Sequence, residues 1–138
     1  MEGASPARLY ATLIGGTLLA AGIIGFFYSA AFNTQFADVD NVFGILAVNG
    51  WHNMVHILTG ALGLLAAGYA ARGYALGLGA VYIVIAIWGF IIGNNEFILG
   101  FVPVNTEDNF LHLILGLLGV GAGVATPAAG PRPAPAAP

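Results

Sequence analysis

Four long apolar runs separated by polar interruptions set the pattern of the chain. They extend from Leu9 to about Ala31, Asn49 to about Ala71, Tyr74 to Gly93, and Asn105 to about Thr126. A helix rising 1.5 Å per residue needs roughly 20 apolar residues to cross a hydrocarbon core of about 30 Å, and each run is near that length. Phe32 to Val48 interrupts with Asn33, Asp38, Asp40 and Asn41, and Asn94 to Val104 with Glu96 and Pro103. Arg72-Gly73 reads as a very short turn between the second and third runs. The pattern predicts an all-α, four-span transmembrane helix bundle over 9–126, after a polar start at 1–8 and before a Pro/Ala-rich tail at 127–138. That tail cannot continue a helix and is expected to be extended and mobile. Asn49 and Asn105 are good N-caps, and Glu107 and Asp108 suit the positive end of a helix dipole. Ser29-Ala30-Ala31 imitates a signal-cleavage site, but the first run is longer than a signal core, so it is expected to be retained.

The pattern repeats. Val48 to Gly63, VNGWHNMVHILTGALG, returns fifty-six residues later as Val104 to Gly119, VNTEDNFLHLILGLLG. The shared core is N-x-x-H-x-x-x-G, placing Asn53, His56 and Gly60 in register with Asn109, His112 and Gly116. The first and third runs correspond at an offset of 64, with Gly15, Leu18, Gly22, Gly25 and Ser29 matching Gly79, Tyr82, Ala86, Gly89 and Gly93. Two tandem helix hairpins with the same orientation are predicted, related by an axis along the membrane normal, with His56 and His112 at equal depth. Asn49, His52, Asn53, His56, Gly60, Gly63 and Ala67 advance by three or four and form one helical stripe. Asn105, Asp108, Asn109, His112, Gly116, Gly119 and Gly123 form the same stripe on the fourth span. The glycines named for close helix packing are Gly22, Gly25, Gly60, Gly63, Gly89, Gly116 and Gly119, since small residues let backbones approach within lipid.

Composition strengthens the membrane reading. The chain of 138 residues is 59% hydrophobic and 7% charged, with a mean hydropathy of +0.89, against about a quarter charged in soluble domains. There is no cysteine, which excludes disulfides and thiolate chemistry. The cations are Arg8, Arg72 and Arg132, too few for a nucleic-acid footprint. All three fall on one side of a four-span chain, while Asp38, Asp40 and Glu96 fall on the other. Positive-inside then places both termini in the cytoplasm and the protein in the inner membrane of a bacterium.

The segments W-H-N-M-V-H-I-L-T-G, V-Y-x-x-x-x-x-W-G-F and V-P-V-N-T-E-D-N-F-L-H-L-I-L-G resemble a bacterial family of small four-span membrane proteins catalogued only as a domain of unknown function. The resemblance covers roughly Leu9 to Val124, and VNTEDNFLH is its most specific part. It implies a four-helix membrane fold with paired Asn53, His56, Asn109 and His112. It implies no activity, substrate or cofactor.

Candidate chemistry rests on the histidines. Intramembrane His56 and His112 could face each other and ligate haem b or a (bacterio)chlorophyll-type pigment. The competing expectation is that each donates to a neighbouring hydroxyl or carbonyl and pins the bundle, with no cofactor bound. The outer loops offer no cation for haem propionates. His52 and His56, at i, i+4, have the spacing of a metal pair, yet an interfacial His52 beside Trp51, hydrated by headgroups, is the simpler expectation, and no metal site is predicted. Asn53, Asn109, His52 and Asp108 are expected to make polar contacts between helices. No catalytic motif is present. The function expected is therefore non-enzymatic: a small accessory subunit packing against lipid and other membrane proteins or copies of itself. Cofactor binding between His56 and His112 is the second reading, and a small channel or transporter the third.

Overall fold

The computed structural model of the protein describes residues 4–128. The first three residues and 129–138, which include most of the Pro/Ala-rich tail, lie outside the described residues. Among the described residues the fold is mostly helical, with four α-helices and two small β-hairpins. Helix α1 is Pro6–Gly25, α2 is Gly50–Ala66, α3 is Ala71–Ile92 and α4 is Thr106–Val124. Strands β1 (Asp40–Val42) and β2 (Leu46–Val48) sit between α1 and α2, with a short 3-10 turn at Phe36–Asp38 before them. Strands β3 (Glu96–Ile98) and β4 (Val102–Val104) sit between α3 and α4. Two helices, α1 and α3, are long and apolar enough to cross a membrane.

Local chemistry sets the ends. Ser5 Oγ accepts the Arg8 N–H at 3.2 Å, and Pro6 occupies the first turn of α1, where a missing N–H costs nothing. The helix stops at Gly25, short of the apolar run's end at Ala31. Beyond it Ser29 is turned to other partners: its carbonyl accepts Asn53 Nδ2 at 2.8 Å and its Oγ donates to the Asp38 carbonyl at 2.9 Å. Asn49 and Asn105 cap α2 and α4, accepting the His52 and Asp108 N–H groups at 2.9 and 2.8 Å. Asp108 returns a bond to the Asn105 N–H at 3.1 Å, completing a capping box.

Two features differ from the sequence expectation. The turn between α2 and α3 falls at residues 67–70, and Arg72-Gly73 lies inside the first turn of α3. Arg72 reaches instead to the end of α4, where Nε donates to the Thr126 carbonyl at 2.9 Å, a favourable place for a cation. The two outer segments are not plain loops. Asp40 pairs with Val48 and Val42 with Leu46; Glu96 pairs with Val104 and Ile98 with Val102. Each hairpin turns through two residues at positive φ, Phe43 and Gly44 (53° and 72°) or Leu99 and Gly100 (52° and 79°). These are the conformations that a tight hairpin with right-twisted strands requires.

Helix α1 packs most extensively on α2, and α3 on α4. Glycine makes this possible. A Cβ at Gly15 would meet the Gly60 carbonyl and Leu64 nitrogen at 3.0 Å, and one at Gly79 would meet the Val120 nitrogen at 2.6 Å. The two pairs are joined crosswise by tyrosines. Tyr10 Oη donates to the Leu115 carbonyl at 2.9 Å, and Tyr74 Oη donates to the Thr59 carbonyl at 3.0 Å. Around them Ala7, Ala11, Ala67, Ala71 and Ala75 close the end of the molecule opposite the hairpins.

Candidate functional site

Polar side chains are concentrated where the hairpins meet the helices. Asn49, His52, Asn53, Asn105, Asp108, Asn109 and His112 are all buried, none more than 7% exposed. The halves interlock there. Asn49 Nδ2 donates to the Phe101 carbonyl at 2.8 Å, and Asn105 Nδ2 donates to the Ile45 carbonyl at 2.6 Å. Each capping residue thus bonds the hairpin turn of the opposite half. Asp108 Oδ2 also accepts the Ala47 N–H at 3.0 Å, another bond between halves.

His52, in register with Asp108, has a different partner. Its Nδ1 lies 2.8 Å from the Ala47 carbonyl, so this nitrogen carries the proton and donates. The expectation that His52 is hydrated among headgroups beside Trp51 is corrected. Strand β2 folds over the ring and leaves it 2% exposed, while Trp51 stays 40% exposed and donates Nε1–H to the Phe32 carbonyl at 2.8 Å.

The side chains of His52, His56 and His112 converge. One ligand nitrogen from each lies within 4.8 Å of those of the other two. The His52 and His56 rings meet edge-on with centroids 4.4 Å apart, as i, i+4 neighbours on α2 can. His112 comes from α4, its ring stacked on Tyr82 with centroids 5.0 Å apart. The chain has three histidines, and all of them are here. Two polar atoms at this place are buried without a hydrogen-bond partner among the described residues, His112 Nδ1 and Tyr82 Oη. With Asp108, these side chains line a cavity of about 170 Å³ whose remaining wall is mainly Leu and Val. Ligand pockets for drug-sized molecules run to roughly 300–1,000 Å³. The cavity suits an ion with several waters better than a tetrapyrrole.

The other residues singled out in the sequence have different surroundings. Asn53 and Asn109 do not reach the cavity. Asn53 ties α2 to the Ser29 carbonyl. The carboxamide oxygens of Asn53 and Asn109 lie against Gly25 and Gly89, where a Cβ would collide with them. Gly22, Gly60 and Gly116 face the neighbouring helix, while Gly63 and Gly119 receive the rings of Tyr74 and Tyr10. The spacing of His52 to His56 indicates their pairing; the burial of His52 comes from the hairpin above it, which the spacing does not encode.

The chain belongs to the family described as a domain of unknown function (DUF4383), whose model matches residues 8–125. Comparison with curated proteins and with solved structures gave no match.

Proposed function

We propose that this protein is a four-span integral membrane protein of the bacterial inner membrane, non-enzymatic, built from two parallel-related hairpin repeats. Both termini are cytoplasmic, and the exterior packs against lipid and other membrane proteins. The observation that carries this reading is an inside-out distribution of side chains. Leu13, Leu58, Val84 and Ile114, one on each helix, are all more than half exposed, whereas Asn49, Asn53, Asn105, Asn109, Asp108, His52 and His112 are buried. In water this exterior would be one continuous apolar patch; in lipid it is the expected face, with polar groups turned inward.

The surface for partners is narrower than the glycine count suggests, because the glycines of the stripes are spent within the chain. Gly73 and Gly77 are different. They form a G-x-x-x-G on the outer side of α3, where an added Cβ would meet nothing within 4 Å. Such a pair favours association between membrane helices. A pore along the axis finds little support, since alanines with Ile14, Leu78 and two tyrosines fill the end away from the hairpins.

The test uses the absence of native cysteine. Single cysteines replace Asp40, Tyr69 or Glu96, and cells with a permeabilised outer membrane meet a membrane-impermeant maleimide. Labelling at 40 and 96, and at 69 only once the inner membrane is opened, is the expected result. Labelling at 69 from outside, or different sides for 40 and 96, would overturn the topology.

A further inference from the structure

We infer that His52, His56 and His112 form a binding site for one divalent transition-metal ion of the zinc type. The first argument is the donor set. Three imidazoles drawn from two helices and both halves of the chain lie with ligand atoms within 4.8 Å of one another. A tetrahedral ion held by His nitrogens at about 2.0–2.1 Å needs them roughly 3.3 Å apart, which modest side-chain rotation supplies. Imidazole selects zinc, copper, nickel or iron; magnesium and calcium take oxygen ligands and are not favoured by three nitrogens.

The second argument is polar need. His112 is 5% exposed, and its Nδ1 has no hydrogen-bond partner among the described residues. A buried, unbonded ring nitrogen is costly, and a metal ion is one of the few occupants that would satisfy it while drawing the other two rings in. His52 is already oriented. Its Nδ1–H is held by the Ala47 carbonyl, which fixes the tautomer and puts the ring's lone pair on Nε2.

The third argument is charge and room. Three neutral imidazoles leave a divalent ion uncompensated in a dry interior. The Asp108 carboxylate lines the same cavity and supplies one negative charge, with Oδ2 held by the Ala47 and Asn105 N–H groups. The cavity of about 170 Å³ leaves the fourth position to a water or a small anion beside Tyr82 Oη, which has no hydrogen-bond partner among the described residues. The site does not depend on how many helices cross the membrane, so the labelling experiment above and the one below fail independently.

The full chain, purified in detergent with any affinity tag removed, is stripped with chelator and titrated with Co²⁺ while visible absorption is followed. The expected result is one saturable equivalent per chain with the d–d bands of a tetrahedral nitrogen and oxygen site, displaced by Zn²⁺. The bands are expected to vanish in His56→Gln and His112→Gln, and Asp108→Asn, which keeps an acceptor for the helix cap, is expected to weaken binding about 10-fold. No saturable band, or binding unchanged in His112→Gln, would overturn the inference. Should the glutamine variants not fold, the ring-proton resonances of the wild-type chain decide, since every histidine belongs to the site. Zn²⁺ shifting all three supports the site; Zn²⁺ shifting none or one overturns it.

Discussion

The two halves of the molecule follow one plan and differ at a few positions that matter. Each half runs helix, hairpin, helix, and each sends an asparagine and a tyrosine to a carbonyl of the other. Where the first half has Ala47, the second has Pro103; where the first has His52, the second has Asp108. These differences are coupled. Ala47 has an N–H, and Asp108 of the opposite half accepts it. Pro103 has none, so a carboxylate at position 52 would lack the donor that the opposite half gives Asp108. His52 solves this by donating to a carbonyl instead. One substitution in the repeat thus removes a negative charge and adds the third imidazole. Near-symmetry builds the cavity, and the departure from symmetry gives it its chemistry.

Restoring symmetry tests this coupling. His52→Asp places an unmatched carboxylate beside the Ala47 carbonyl and is expected to cost about 3 kcal/mol or more, as buried charges without a partner do. Adding Pro103→Ala returns an N–H and is expected to recover part of that loss. Denaturation of both single variants and the double variant in mixed micelles reads the coupling; an additive cycle would break the comparison.

The halves also differ in which glycine sits closest to the backbone of the facing helix: Gly60 in the first, Gly79 in the second. A Cβ at Gly60 would run into the backbone nitrogen of Leu19 and the Gly15 carbonyl, while one at Gly116, the matching position, would meet the Ile83 side chain at 2.7 Å and the backbone of Gly79 and Ile83 at 2.9 Å. The second half already has Ala86 where the first has Gly22. Gly60→Ala is expected to cost about 3 kcal/mol and Gly116→Ala about 2, both within the usual range for overpacking. Equal losses in the same denaturation assay would show that both pairs are equally tight.

Matching residues should give matching losses. Asn49→Ala and Asn105→Ala each remove a helix cap and a bond between halves, about 2 kcal/mol together. Tyr10→Phe and Tyr74→Phe each remove one hydrogen bond at the opposite end and are expected to cost only about 0.6–1 kcal/mol. Comparison of unfolding midpoints within each pair checks both; a pair that splits widely would place the difference between halves elsewhere than at positions 47, 52, 60, 103, 108 and 116.

Much of the fold was legible in the hydrophobic runs, because helices in an apolar setting are written directly as apolar length. The stripe that faces inward was legible from the spacing of Asn53, His56 and Gly60 and their counterparts. The hairpins are less legible, because Asp38, Asp40 and Glu96 give these segments the composition of loops. Their signal was Phe43-Gly44 and Leu99-Gly100, each between apolar pairs and separated by the same 56 residues as the helices. Missing them hid the burial of His52, since β2 and not α2 covers its ring. The convergence of His52 on His112 depends on how the halves dock across Asn49, Asn105 and Ala47, and no local spacing encodes that.

Length and apolar character together single out α1 and α3, so the inside-out arrangement is tested most directly on the other two helices. Spin labels on single cysteines at Leu58 of α2 and Ile114 of α4, exposed by 56% and 54%, report their surroundings through collisions with oxygen and with a water-soluble nickel chelate. In reconstituted bilayers both labels are expected to be accessible to oxygen and shielded from nickel. Strong nickel collisions at either position would place that helix in water and contradict a four-span chain with a lipid-facing exterior.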